Sequence, residues 1–293
     1  MKKQAIIKPI IILGIGRCGS TIVHKIMKEA NPFAWFTGSL DKYPNQVWIN
    51  RLRMHLADFP FVGEFLHSRD PSESYNFWEL NCKGFRRPCR DLNAEDVTNF
   101  NVKNLHKAFE QTLTKTRKRL LIKITGWPRI GFLKQVFPDA KFILIHRDPR
   151  AIVNSMIKTT FWDGWGGPSN WRFGELSQVY HELWMKHHRS FIALAGIQFN
   201  MFMDAYRVSK ALYQNDSFLE MKYEDICANK LDAFQDLFEF SEIAWNDKLL
   251  KKIEKYSLTD FDFKWKQDLT TVQQNILNNV CDRELNYLGY KKE

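Results

Sequence analysis

Three things are scarce in this sequence of 293 residues: cysteines in pairs, long apolar runs, and acidic side chains. The five cysteines, Cys18, Cys82, Cys89, Cys227 and Cys281, are odd in number and scattered. That excludes a disulfide framework and zinc-type spacing, and it fits reduced thiols in a cytoplasmic setting. No His/Cys/Asp ligand spacing appears, so no metal is expected. Ile10 to Leu13 is too short an apolar run for a membrane span or a signal peptide, and cytoplasmic localisation with no transmembrane segment is the expectation. Acidic residues number 33 against 43 Lys and Arg, a formal charge of +10. Such an excess of cations suits a polyanionic partner. No nucleic-acid module is recognisable, so nucleic acid is not the expected partner, and the cation-rich stretches at 115–123 and 248–255 read as solvated faces.

What is present is an ordinary globular composition, 44% hydrophobic and 14% aromatic. A chain of this length can bury its core as a single domain, 1–293. Its organising stretch is Ile10-Ile11-Ile12-Leu13-Gly14-Ile15-Gly16-Arg17-Cys18-Gly19-Ser20-Thr21. The apolar, mostly β-branched run predicts a buried strand, the glycines a tight turn, and Ile22, Ile26 and Met27 the inward face of a helix. A loop of this kind turns its N–H groups inward and adds the positive end of a helix, forming an anion cradle. Gly14 to Gly19 followed by Ser20-Thr21 mimics the nucleotide-binding loop GxxxxGK[ST], but Ser20 stands where its lysine would be, and the cation is Arg17. A βα unit without a ligand would show the same glycines. Arg17 and the paired hydroxyls favour the anion, because a buried loop gains nothing from an unpaired cation.

A second stretch sharpens the first. Pro138-Asp139-Ala140-Lys141-Phe142-Ile143-Leu144-Ile145-His146-Arg147 reads as a strand ending in Arg147, and the helix that follows carries Ser155. Together the two stretches resemble the sulfotransferases that use 3′-phosphoadenosine-5′-phosphosulfate. The first matches that family's loop P-[KR]-[SC]-G-[ST]-[ST] with Gly16 in place of Pro, and the second resembles its 3′-phosphate motif. The resemblance implies that Gly16, Arg17, Cys18, Gly19, Ser20 and Thr21 hold the 5′ end of the donor while Arg147 and Ser155 clamp its 3′-phosphate. It implies 3′,5′-phosphoadenosine as the product. Lys123, in the stretch Arg119 to Pro128 that reads as a strand whose far end meets a turn, matches a family lysine that reaches the transferring group. Cytosolic members place a catalytic His two residues later. Thr125 stands there instead, which favours a carboxylate base. In the carbohydrate and tyrosyl-protein sulfotransferases the base is a carboxylate in the aromatic-rich passage after the first helix. Asp41 is the positional match, and Glu64 and Glu73 are reserves; an exposed turn at Ser39 to Lys42 would use Asp41 equally well. Golgi members carry an amino-terminal anchor, and none is seen here.

The remaining chain predicts an α/β fold: a three-layer parallel sheet with helices on both faces and a P-loop-like nucleotide-binding loop. Helices are expected at 93–117, 129–137 and 175–212, the last broken near Gly196. A Trp-rich insertion at 159–174 reads either as an acceptor-side loop or as a loop anchored by its Trp side chains. Tyr223-Glu224-Asp225-Ile226 resembles a structural segment of the family, and the ending from Trp265 to Tyr290 resembles how many members close. The Arg-Lys-Gly that touches the 3′-phosphate is absent, so Lys264 and Lys266 are candidate replacements. His146 is read as a packed residue and Arg150 as a surface charge. The implied reaction is sulfuryl transfer to a hydroxyl or amine of a small-molecule, lipid or glycan acceptor. Competing readings are a P-loop kinase or NTPase and a non-catalytic anion- or nucleic-acid-binding protein of the same fold.

Overall fold

The apolar run at 10–13 is buried on every residue, as a central strand of a doubly covered sheet requires. In the computed structural model, which describes residues 6–59, 61–169, 171–259 and 263–291, that strand is β1 (Ile10–Gly14). It is followed by α1 (Ser20–Met27), β2 (Phe33–Ala34), α2 (Gly38–Lys42), α3 (Val47–Leu56), α4 (Val62–Ser68), α5 (Tyr75–Asn81) and α6 (Asn99–Glu110). Next come β3 (Arg119–Thr125), α7 (Ile130–Val136), β4 (Lys141–His146), α8 (Pro149–Met156), α9 (Gln178–Lys186) and α10 (Phe191–Ala211). The chain ends with β5 (Phe218–Lys222), α11 (Tyr223–Ala228), α12 (Lys230–Phe240), α13 (Asp247–Glu254), α14 (Lys264–Asp268), α15 (Thr271–Val280) and α16 (Asp282–Tyr287).

The five strands lie in the order β2-β3-β1-β4-β5, and all pairings are parallel. The sheet is flanked by helices, as the α/β expectation required. The chain first winds from β1 toward β2 and β3, then crosses to β4 and β5 on the other side. That reversal leaves a crevice at the carboxyl ends of β1 and β4. Gly14 pairs with Thr125 in the register, and Leu13 with Leu144, so the loops after β1, β3 and β4 emerge side by side. No helix among the described residues is long and apolar enough to cross a membrane.

Three expected elements are corrected. The helix anticipated over 93–117 is a short 3₁₀ turn at Ala94–Asp96, then α6, because a capping box at Thr98 and Asn101 starts a new helix there. The stretch at 175–212 breaks at 187–190 rather than at Gly196. Gly196 sits inside α10, where a Cβ would come within 2.9 Å of Val280, so the glycine serves close packing of α15. Arg150 is no surface charge: it is 4% exposed, forks onto Asp148 at 2.7 Å and lies over the Trp265 ring at 4.3 Å. Asp148 is the N-cap of α8 and Trp265 belongs to α14, so Arg150 ties those two helices together.

Candidate active site

The chain leaves β1 at Gly14, where a Cβ would stand 2.3 Å from Cys18 Sγ and 2.9 Å from the Ile145 carbonyl. Only glycine allows that return. The Cys18 N–H donates to the Ile15 carbonyl at 3.2 Å and closes the turn. Burial pushes the Cys18 thiol up despite Lys123 and Arg147 nearby, so it packs as a neutral side chain. Arg17 and Gly19 both take left-handed backbone, at φ +76° and +95°. A Cβ on Gly19 would collide with the Tyr223 ring. Gly16 has no atom within 4 Å of that position, and this is the open face of the cradle. α1 starts at Ser20 with neither a side-chain cap nor an acidic residue in its first turn, leaving its first N–H groups and its dipole to the loop. Open space, amides and cations together fit a phosphate-like group.

The two sequence motifs meet directly. Arg17 Nε donates to Ser155 Oγ at 2.9 Å, and Arg147 Nη1 reaches the Arg17 carbonyl at 3.5 Å. The Arg147 guanidinium also lies 5.0 Å from the centre of the Tyr223 ring, the ring that packs under Gly19. Burial holds His146 down at about 4, so it is neutral at physiological pH and is a packed residue.

Lys123 is buried, and its ammonium joins two sides of the crevice. It donates to Thr21 Oγ1 at 2.8 Å and lies 3.1 Å from Glu73 Oε1. The Thr125 hydroxyl is within 2.8 and 2.7 Å of the two Glu73 oxygens, and the Tyr75 hydroxyl donates to the Thr125 carbonyl. Of the three carboxylates considered from sequence, Glu73 is therefore the one at the cradle. Asp41 accepts from the Asn76 backbone N–H at 3.0 Å, while its own carbonyl accepts from Asn76 Nδ2 at 3.1 Å. It caps α5, whose N-cap Ser74 makes no side-chain cap bond. Glu64 is exposed on α4. Lys264 and Lys266 lie on α14, which is held by Asn154 of α8 and Lys158 just after it, both on Asp268, at 2.8 and 2.5 Å. The Lys266 ammonium is 5.0 Å from the Phe263 ring centre.

A cavity of about 320 Å³ opens from this point, and Gly16, Glu73 and Thr125 form one wall. Trp127, Trp162 and Trp171 line it too, and Arg86 and Arg172 also stand at it. The insertion at 159–174 is thus both wall and anchor. Trp162 Nε1 donates to Gln198 at 3.0 Å and Trp171 Nε1 to the Gly174 carbonyl at 2.6 Å, so each indole is fixed by its N–H while its ring faces apolar neighbours. Tyr75 and Arg129 also line the cavity and escaped the sequence reading. Neither stands in a periodic pattern, and only the fold brings 73–75 to 125–129.

Residues 9–247 match the model of the family described as Sulfotransfer_3, "Sulfotransferase family". The omega-hydroxy-beta-dihydromenaquinone-9 sulfotransferase Stf3 of Mycobacterium bovis is 24% identical over 195 residues, 65% of this chain and 46% of that protein. The chain therefore spans about half the length of the curated relatives it matches. Among solved structures, sulfotransferase STF9 of Mycobacterium avium shares the fold with a TM-score of 0.60 at 13% identity, covering 99% of this chain and 79% of that one. Sulfotransferase STF1 of Mycobacterium tuberculosis H37Rv does so with a TM-score of 0.53 at 16% identity, covering 96% and 77%.

Proposed function

The chain belongs to the sulfotransferase family, and from that premise we propose that it transfers a sulfuryl group from 3′-phosphoadenosine-5′-phosphosulfate to a hydroxyl or amine of a small-molecule acceptor, releasing 3′,5′-phosphoadenosine. One observation carries this reading: Lys123 bonds the cradle hydroxyl of Thr21 and pairs with Glu73, and Glu73 and Gly16 line one aromatic cavity. Donor side and acceptor side thus share a boundary. A volume of about 320 Å³ suits a small molecule or the terminal unit of a glycan.

The donor supplies an activated sulfuryl group on a phosphate leaving oxygen. Arg147 and Ser155 would take its 3′-phosphate and the loop Gly16 to Thr21 its 5′ end. Glu73 would accept the proton of the acceptor hydroxyl as the new O–S bond forms, and this role moves to it from Asp41, which is engaged at α5. As the old S–O bond breaks, its electron pair stays on the phosphate oxygen. Arg17 and Lys123 are the cations placed to stabilise that charge. A kinase would require a cation where Ser20 stands.

Thermal unfolding with 3′,5′-phosphoadenosine, and with ATP, AMP and sulfate as controls at fixed salt, tests the donor site. At one hundred times its dissociation constant a ligand adds about 2.7 kcal/mol. The expected result is a shift selective for 3′,5′-phosphoadenosine. In Arg147→Ala the affinity should fall about thirtyfold, since a charge-assisted bond to a phosphate contributes ~2 kcal/mol. No shift, or an equal shift with ATP, overturns the reading.

A further inference from the structure

Arg129 is the one arginine that lines the cavity and is itself almost wholly buried, at 5% exposure. Its backbone is left-handed at φ +52°, in the turn that follows β3. Its guanidinium Nη1 donates to the Trp127 carbonyl at 2.8 Å, and the Tyr75 hydroxyl also interacts with the guanidinium. Nε is buried without a partner, and so is the indole N–H of Trp127 beside it. No carboxylate among the described residues pairs with this cation. Asp91 spends an oxygen on the Arg129 backbone N–H at 2.7 Å, and burial raises its pKa to about 6. Glu73 pairs with Lys123, and Asp163, also at the cavity, pairs with Arg172 at 3.3 Å. What faces the Arg129 guanidinium is aromatic: the Phe85 ring centre at 4.4 Å and the Tyr75 ring centre at 5.9 Å.

With Asp91 bonded to its backbone rather than its guanidinium, and only a carbonyl, a phenol hydroxyl and two ring faces around the charge itself, this buried cation is partly compensated, and cavities commonly orient their ligands with such a group. Accepting the sulfotransferase reading, we propose that the acceptor is an anionic hydroxy compound: its hydroxyl meets Glu73, its apolar body lies among Trp127, Trp162 and Trp171, and its carboxylate or equivalent anion pairs with Arg129. The separation of hydroxyl and anion is short. Tyr75 spans it, with its hydroxyl on the Thr125 carbonyl next to Glu73 and its ring against Arg129. A positively charged recognition point gives the one buried arginine of this aromatic cavity a partner.

The test uses the full chain saturated with 3′,5′-phosphoadenosine and reads quenching of its tryptophan fluorescence by two probes, 4-(hydroxymethyl)benzoate and its neutral isostere 4-(hydroxymethyl)benzamide. The acid should bind at least tenfold more tightly than the amide, and in Arg129→Met the two should become equal. Equal affinities in the wild type, a preference for the amide, or no binding of the acid overturns the proposal. The wild-type comparison alone can overturn the proposal, so a poorly folded variant does not rescue it; because Arg86 and Arg172 also line the cavity, a preference for the acid that survives in Arg129→Met overturns it too. Failure of 3′,5′-phosphoadenosine itself to bind would instead sink the donor reading, and the two failures are separable.

Discussion

The two ends of the sheet treat charge differently. At the amino ends of the strands there is a hollow of about 1030 Å³, some three times the volume of the cavity at the carboxyl ends. Yet several of the cations around it already have carboxylate partners. Glu242 takes Lys8 at 2.7 Å and Lys141 at 2.8 Å, and Glu29 takes Lys252 at 3.1 Å. Just behind, the buried Arg117 holds Asp58 at 2.8 Å. Lys115 and Lys118 there are exposed to solvent, but Arg117 and Lys123 are buried, so the solvated face expected over 115–123 is corrected for those two. At the carboxyl ends, Lys123 has one carboxylate and Arg129 pairs with none among the described residues. Volume alone would select the wrong end. Unpaired cations would not correct that choice, since among the described residues Arg119 at the amino ends also hydrogen-bonds only carbonyls; the meeting of Arg17 with Ser155 and of Lys123 with Thr21 and Glu73 selects the other end.

If the carboxyl end is the chemical one, the largest effect should come from Glu73→Gln. Sulfuryl transfer should fall about a thousandfold, ~4 kcal/mol in barrier, with the thermal shift from 3′,5′-phosphoadenosine retained. Asp41→Ala should lower the melting temperature through the lost α5 cap and keep the rate per folded molecule. Reversed outcomes would return the base to Asp41. At the other end, Asp58→Ala strands Arg117 and should remove ~3 kcal/mol of stability, a fall of roughly 6 °C in a chain this long, with affinity for 3′,5′-phosphoadenosine unchanged. A loss of nucleotide affinity in that variant would erase the contrast between the two ends.

Glu29 supplies a pH-dependent version of the same comparison. Burial opposes its charge, but His67, Tyr256 and Lys252 more than offset this and hold its pKa at about 2, below the ordinary 4.5. Burial also keeps His67 neutral at physiological pH, so Lys252 is the cation that balances Glu29. A carboxylate depressed in the folded state contributes stability above its unfolded pKa and loses it as the pH falls. Acid unfolding followed by circular dichroism should therefore show wild type losing an increment between about pH 4.5 and 2 that Glu29→Gln lacks. Parallel curves would mean that the cluster contributes nothing.

How much of this was legible beforehand depended on distance along the chain. The cradle, the strand ending at Arg147 and the Ser155 helix are local patterns in which each residue's role is set by neighbours within a turn, and the Arg17 to Ser155 contact follows from their order in the sheet. Which carboxylate faces Lys123 is not local. Asp41 and Glu73 both lie in short, aperiodic stretches, and their placement is decided when Asp41 caps α5 and thereby fixes the chain just before it, where Glu73 sits. Arg150 looked like a surface charge because helix periodicity cannot foresee that α14 and the chain end close over it. Arg129 was invisible for the same reason: its surroundings come from residues 75, 85 and 127, joined only by folding.

The smallest expected effect probes how the cradle is preorganised. Ser155 accepts from Arg17 Nε at 2.9 Å, and this holds an exposed guanidinium over the loop before any nucleotide arrives. Ser155→Ala removes that bond together with any contact the hydroxyl makes to the 3′-phosphate, and it leaves Arg147 on Tyr223 untouched. A hydrogen bond between a hydroxyl and a charged group contributes ~1.5 kcal/mol, so affinity for 3′,5′-phosphoadenosine should weaken about tenfold, short of the Arg147→Ala loss. The two variants should also differ in salt dependence, because only Arg147→Ala removes a charge from the phosphate site. If Ser155→Ala proved as damaging as Arg147→Ala, then orientation of Arg17, rather than the cation at position 147, would dominate nucleotide binding at this edge of the sheet.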